Sequence, residues 1–98
     1  MQRAAWMFAL KPGKEQAYRE AHTRVWPELI KAARAAGLKN HSVYVQGSTV
    51  FAYAEAEDLD ATMKQLDTQD VTLKWNTAMA ELMEDVNGVA VDEVFHFD

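Results

Sequence analysis

From Ala4 to Leu10 the chain is almost wholly apolar, and it stops at Lys11-Pro12-Gly13. A short apolar run ended by a Pro-Gly turn predicts a strand. Lys14 to Ala36 changes character: Ala, Glu, Gln, Arg, Lys and Leu dominate, and Gly37 follows. Those residue types favour helix, and glycine suits the position just past a helix end. Pro27 interrupts the run, because an internal proline loses a backbone donor and clashes with the preceding turn. A kink or break near Trp26 is expected, with Pro27 opening a second short helix. His41 to Gln46 alternates, with Val43 and Val45 on one face and Tyr44 on the other. Gly47-Ser48 then punctuates, and Thr49 to Ala56 reads as the second arm of a hairpin. Asp58 is placed to cap a short helix through Leu66. Val71, Trp75, Met79, Leu82 and Val86 recur at helical spacing and predict a helix over 71–86, ended by Asn87-Gly88. Val89 to Phe97 reads as a last strand, with Val91, Val94, Phe95 and Phe97 as packing residues.

The resulting order, βαββαβ, is the ferredoxin-like α+β plan: an antiparallel four-stranded sheet with helices on one face. Residues 1–98 are read as one domain. Strands left apolar on the second face need a cover, which argues for a homodimer.

Composition narrows the function. The chain has no cysteine, so disulfides, thiol chemistry and Cys-based metal sites are excluded. This is compatible with a cytoplasmic location, as is the lack of a signal-peptide-like run after Met1. Nothing approaches the length of a membrane span. The net charge is −5 without a basic cluster, which disfavours nucleic acid and suits a small neutral ligand.

Chemistry concentrates between Tyr18 and Leu29. Tyr18, His22 and Trp26 recur every four residues, so a helix sets phenol, imidazole and indole on one stripe, each ~6 Å further along the axis. An imidazole can exchange protons at neutral pH, and flat rings with polar edges suit a sugar. The same spacing is also that of ordinary core packing. The three histidines, His22, His41 and His96, show no ligand-pair spacing, and no metal is expected.

The run Tyr18-x-x-x-His22-x-x-x-Trp26-Pro27-Glu28-Leu29 resembles the signature of the L-rhamnose mutarotase family. Further parts fall in family order: Arg3 to Leu10, Gly37…Asn40…Tyr44, Asp70-Val71…Lys74-Trp75…Met79, and Glu93-Val94-Phe95. The resemblance implies a dimeric α+β barrel, a sugar substrate, no cofactor, and His22 as the proton donor. It also implies substrate contacts at Tyr18 and Trp75; Trp26, inside the same motif, reads as a pocket wall or as the residue that fixes the bend before Pro27. Mutarotation opens the pyranose ring at C1–O5 and recloses it on the other face of the carbonyl. It needs one proton delivered and one removed, which suits general acid–base catalysis by a histidine.

Two positions depart from the pattern. His41 stands where the family tends to carry a substrate-contacting Tyr, and Asn76 where it carries a second consecutive Trp. Both remain candidate substrate contacts, and His41 is also a candidate second proton-transfer group. The departures leave L-rhamnose the favoured substrate and L-fucose the alternative. A non-catalytic ligand-binding module or a cofactor-free oxygenase on the same scaffold is the reading from another class, since fold alone does not set function.

Overall fold

A computed structural model describes residues 1–85 and 88–98. The chain runs β1 (Gln2–Ala9), α1 (Glu15–Thr23), α2 (Pro27–Ala35), β2 (Lys39–Gln46), β3 (Thr49–Ala56), α3 (Leu59–Asp67), α4 (Asp70–Ala80) and β4 (Val89–Val91). Each expected helical stretch between strands is a pair of helices. Among the described residues the strands form one antiparallel sheet in the order β2-β3-β1-β4. This is the ferredoxin-like α+β architecture that the hydrophobic pattern predicts. No helix among these residues is long and apolar enough to cross a membrane.

Strict alternation on β3 decides which face is which. Val50, Ala52, Ala54 and Ala56 are buried, whereas Phe51 is exposed. Directly paired residues share a face, so Phe8 and Val45 join Val50 on the covered side. There Leu10, Tyr18, Val50, Met79 and Met83 form the core, flanked by Phe8, Val43, Trp75 and Leu82. Met7 and Tyr44 pair with Phe51 on the opposite side and are exposed.

The break at Pro27 is present. Trp26 takes an extended ψ of 128°, as the residue before a proline must. Its carbonyl accepts the first hydrogen bonds of α2, from Leu29 and Ile30. At the other end of α2, Gly37 has φ 101°, and the Leu38 amide donates back to the Ala33 carbonyl, the left-handed close that glycine favours. The Thr62 hydroxyl donates to the neighbouring Ala36 carbonyl and ties this end to α3. Asp58 caps α3 as expected, accepting from the Ala61 amide.

Two expectations fail for tertiary reasons. The last long helix stops at Ala80 rather than 86, although Leu82 and Met83 continue the apolar rhythm. Beyond it the chain turns back onto the end of β1: Lys11 donates to the Leu82 carbonyl, and Glu84 to that of Ala9. These bonds compete with further helix and win. The expected Asn87 end and the Val86 packing position lie outside the described residues. The last strand stops at Val91 rather than Phe97. Past it Glu93 binds the Arg3 guanidinium through both carboxylate oxygens, and His96 contacts Arg3 and Asp98. Val94, Phe95 and Phe97, expected to pack, are 94%, 78% and 84% exposed on the single chain.

Gly37→Ala is expected to lower stability by about 1–2 kcal/mol, the cost of a left-handed L-residue, with the new methyl pressing on Thr62 Oγ1 at 3.2 Å. Chemical denaturation checks this, and Gly37→Asn should lose less.

Candidate active site

Behind the break at Pro27 lies a cavity of about 830 Å³, within the range of small-molecule sites. Its floor and one wall are apolar: Val25, Leu29, Ile30, Ala33, Leu38 and Val43. Helix α2 has no buried residue, so its apolar stripe faces this space instead of the core. His22, Trp75 and His41 bring the chemistry, and Arg34, Lys39 and Asn40 add polar edges.

His22 sits on the last turn of α1, half-buried at the margin of the core. Its Nδ1 lies 2.8 Å from the Tyr18 carbonyl oxygen. A carbonyl only accepts, so Nδ1 carries the proton and donates, which leaves Nε2 as the lone-pair nitrogen of the neutral ring. The ring is held on two sides. Tyr18 lies against it with centroids 4.3 Å apart, and Trp75 meets it edge-on at 5.4 Å. Trp26 in turn meets Trp75 edge-on at 5.1 Å. A chain of four rings therefore runs from the core, past the cavity wall at His22 and Trp75, to Trp26 behind it, and pairs of this geometry are favourable beyond simple burial.

The candidates predicted from sequence divide by position. His22, His41 and Trp75 share the cavity. Tyr18 is only 6% exposed and belongs to the core, where burial pushes its phenol pKa up and keeps it neutral. Trp26 does not line the cavity but backs Trp75. Asn76 is exposed and outside the lining among the described residues. One residue along a helix turns a side chain by about 100°, so Asn76 points away from the direction that Trp75 takes. His96 lies on the tail with Arg3, apart from the other two histidines.

His41 reaches the cavity through a β-bulge. Lys39 pairs with Glu55 and Ser42 with Tyr53, so Asn40 and His41 together oppose the single residue Ala54. A bulge of this kind re-aims a side chain. Asn40 supplies the left-handed turn, with φ 48°, a conformation that asparagine tolerates better than most residues. Its amide donates to Glu55 at 2.8 Å, and the Tyr53 hydroxyl donates to the other Glu55 oxygen. The His41 Nδ1 then lies 2.9 Å from the Tyr53 carbonyl. Sequence reading missed this bulge and started the strand two residues late. Asn40 just after Gly37-Leu38-Lys39 was the available signal. The apolar wall was legible too, in Val25, Leu29 and Ala33 at four-residue spacing.

The family model for L-rhamnose mutarotase matches residues 3–97. An L-rhamnose mutarotase of Bacillus subtilis is 35% identical, over all of both chains. The crystal structure of an L-rhamnose mutarotase from Formosa agariphila superposes with a TM-score of 0.82 at 27% identity, also over all of both chains. A dimeric ferredoxin-like protein from an uncultured marine organism shares the fold, with a TM-score of 0.65 and 14% identity over 98% of this chain and 96% of that one.

Glu55 braces the bulge best as a carboxylate, which accepts from Asn40 and Tyr53 together. The Tyr53 hydroxyl first, and the Asn40 amide second, hold its carboxyl below the ordinary value of 4.5. A lowered folded-state pKa stabilises the fold above the unfolded value, and that contribution is lost as pH falls through the folded one. Glu55→Gln is therefore expected to reduce the fall in melting temperature between about pH 7 and about pH 3.5, measured by circular dichroism.

Proposed function

The chain belongs to the L-rhamnose mutarotase family, and from that premise we propose that it is an isomerase interconverting the α and β anomers of L-rhamnose by general acid–base opening and closing of the pyranose ring. Residues 1–98 act as one domain, in the cytoplasm. The observation that carries this reading is His22: its Nδ1 is held by the Tyr18 carbonyl, and the ring stands on the wall of a cavity beside Trp75.

Opening requires a proton on the ring oxygen as the C1–O5 bond breaks, and loss of the proton on O1 as C1=O1 forms. His22 as imidazolium delivers the first through Nε2. The O1 proton passes to a second acceptor in the site as C1=O1 forms. The resulting hydroxyaldehyde rotates about C1–C2. O5–H then attacks the other carbonyl face and returns its proton to Nε2, O1 regains its own from that acceptor, and the enzyme ends as it began. Free sugars mutarotate slowly in water, and general acid–base groups, each worth about 10²- to 10⁴-fold, suffice for such a reaction. The apolar wall from α2 suits the sugar's C6 methyl, and the Trp75 face suits its C–H surface. Tyr18 acts on the sugar through His22, by fixing the imidazole plane. Trp26 fixes Trp75 in the same way.

The uncovered sheet face calls for a partner, and the reading includes a homodimer. Met7, Tyr44, Phe51 and Val89 are large, apolar and exposed on that one face. Exposed apolar clusters of this kind mark interaction sites. A second copy of the same face covers it with like against like, the isologous contact of a two-fold dimer.

Saturation-transfer NMR on H1 tests the activity, with L-rhamnose and L-fucose in parallel. Anomer exchange of L-rhamnose should accelerate with the wild type. In His22→Asn it should fall by about 10²-fold or more, with sugar binding retained. No acceleration with either sugar overturns the reading. Phe51→Glu should convert a dimer to a monomer in light scattering, and a wild-type monomer would remove the homodimer.

A further inference from the structure

We propose that His41 is the second proton-transfer group, the base that takes the proton from the anomeric hydroxyl while His22 protonates the ring oxygen. The proposal rests on the mutarotase reading and names the partner that the reaction needs and His22 alone does not supply.

Three observations carry it. First, His41 and His22 line the same cavity, from different layers: His41 from the β2 bulge and His22 from α1. Second, both rings are held in the same way. A backbone carbonyl accepts from Nδ1 in each, Tyr18 at 2.8 Å for His22 and Tyr53 at 2.9 Å for His41. Each neutral ring is thereby fixed in the tautomer that frees Nε2, the arrangement that readies a histidine to accept a proton. Third, the bulge that places His41 is built and braced. Asn40 adopts a left-handed φ, and its amide is anchored on Glu55. A sheet does not need such a distortion for pairing, and bulges of this sort cluster beside active sites.

The charged and titratable groups near His41 are Lys39 on its own strand, Arg34 on α2, His22 on α1, and Glu55 and Tyr53 on β3. Among the described residues no carboxylate lines the cavity. Within that lining, the neutral His41 is thus the group suited to receive a proton from a hydroxyl.

The step balances. Before opening, His22 is imidazolium and His41 neutral. As C1–O5 breaks, the bonding pair goes to O5, which takes the His22 proton. The O1–H pair forms the carbonyl, and its proton goes to His41 Nε2. Closure on the other face runs both transfers backwards and restores each ring. No oxidant, reductant or net proton is consumed.

Two substitutions separate proton transfer from placement. In His41→Asn the amide can still donate to the Tyr53 carbonyl, but Nε2 is gone. His41→Gln puts a hydrogen-bonding amide near Nε2 that cannot accept a proton. Both are expected to lower kcat for anomer exchange by about 10²-fold or more, with KM within about threefold of wild type. The wild-type kcat/KM profile should be bell-shaped, because one ring must be protonated and the other neutral. Both variants should lose its acid-side limb and keep the alkaline one, and imidazole added to His41→Ala should restore part of kcat.

A wild-type kcat and an intact acid limb in either variant would overturn the proposal, as would a loss confined to KM. Either result leaves the mutarotase reading standing, provided the wild type accelerates exchange and His22→Asn does not. A wild type that accelerates neither sugar removes both.

Discussion

The steric rule at Trp26-Pro27 governs the rest of this structure. A residue before proline is driven out of the helical region, so the long helical run of the sequence must stop at Thr23 and restart at Pro27. An unbroken helix would carry Val25, Leu29 and Ala33 straight on from Tyr18 and His22. Broken, it lets α2 swing its apolar stripe over an empty space, with no side chain of that helix buried. The same break turns the Trp26 ring onto Trp75. The cavity and the aromatic brace behind it thus follow from one residue whose φ is locked and whose neighbour's ψ is constrained.

Around that cavity, the backbone acts as a template for chemistry. A histidine offers two nitrogens, and a free imidazole exchanges its proton between them. Here the carbonyls of Tyr18 and Tyr53 select Nδ1 in His22 and His41. Selection by carbonyls has an advantage over selection by carboxylates. A carboxylate would stabilise the imidazolium strongly through charge. A carbonyl orients the ring without adding a charge beside it.

Local signals in the sequence revealed much of this arrangement. The alternation of Thr49 to Ala56, the Gly47-Ser48 turn and Asp58 as a cap are short-range features, and all appear in the structure. Tyr18 and His22 were legible on one helical stripe for the same reason, but Trp26 is not on it, because α1 ends at Thr23 and Trp26 precedes α2. The sites where the reading failed are non-local. Leu82 and Met83 kept a helical rhythm, but the end of β1 captured that backbone. Val94, Phe95 and Phe97 are strand-like, but the Arg3 side chain, 90 residues from Glu93 in sequence, binds the tail in place of continued strand pairing. The bulge at Asn40 and His41 needed the register against β3, which no window of the strand itself contains.

The role proposed for His41 would let a substitution at a special backbone position change chemistry without changing the fold. In the resembling family this position tends to carry a tyrosine, which can hydrogen-bond a sugar hydroxyl but whose phenol ionises only near pH 10. An imidazole in the same bulge keeps the hydrogen bond and adds a basic nitrogen. The bulge is set by Asn40, Glu55 and the backbone of Tyr53, so the exchange costs the sheet little. Only the ring's own donor contact depends on the side chain. A second imidazole in the cavity also shifts where catalysis is sensitive. On the proposed two-histidine mechanism, the anomeric centre must lie between His22 on α1 and His41 on β2. Binding energy spent on the C6 methyl and on the Trp75 face then positions both transfers at once, which raises the rate only for sugars whose O1 and ring oxygen fall in that line.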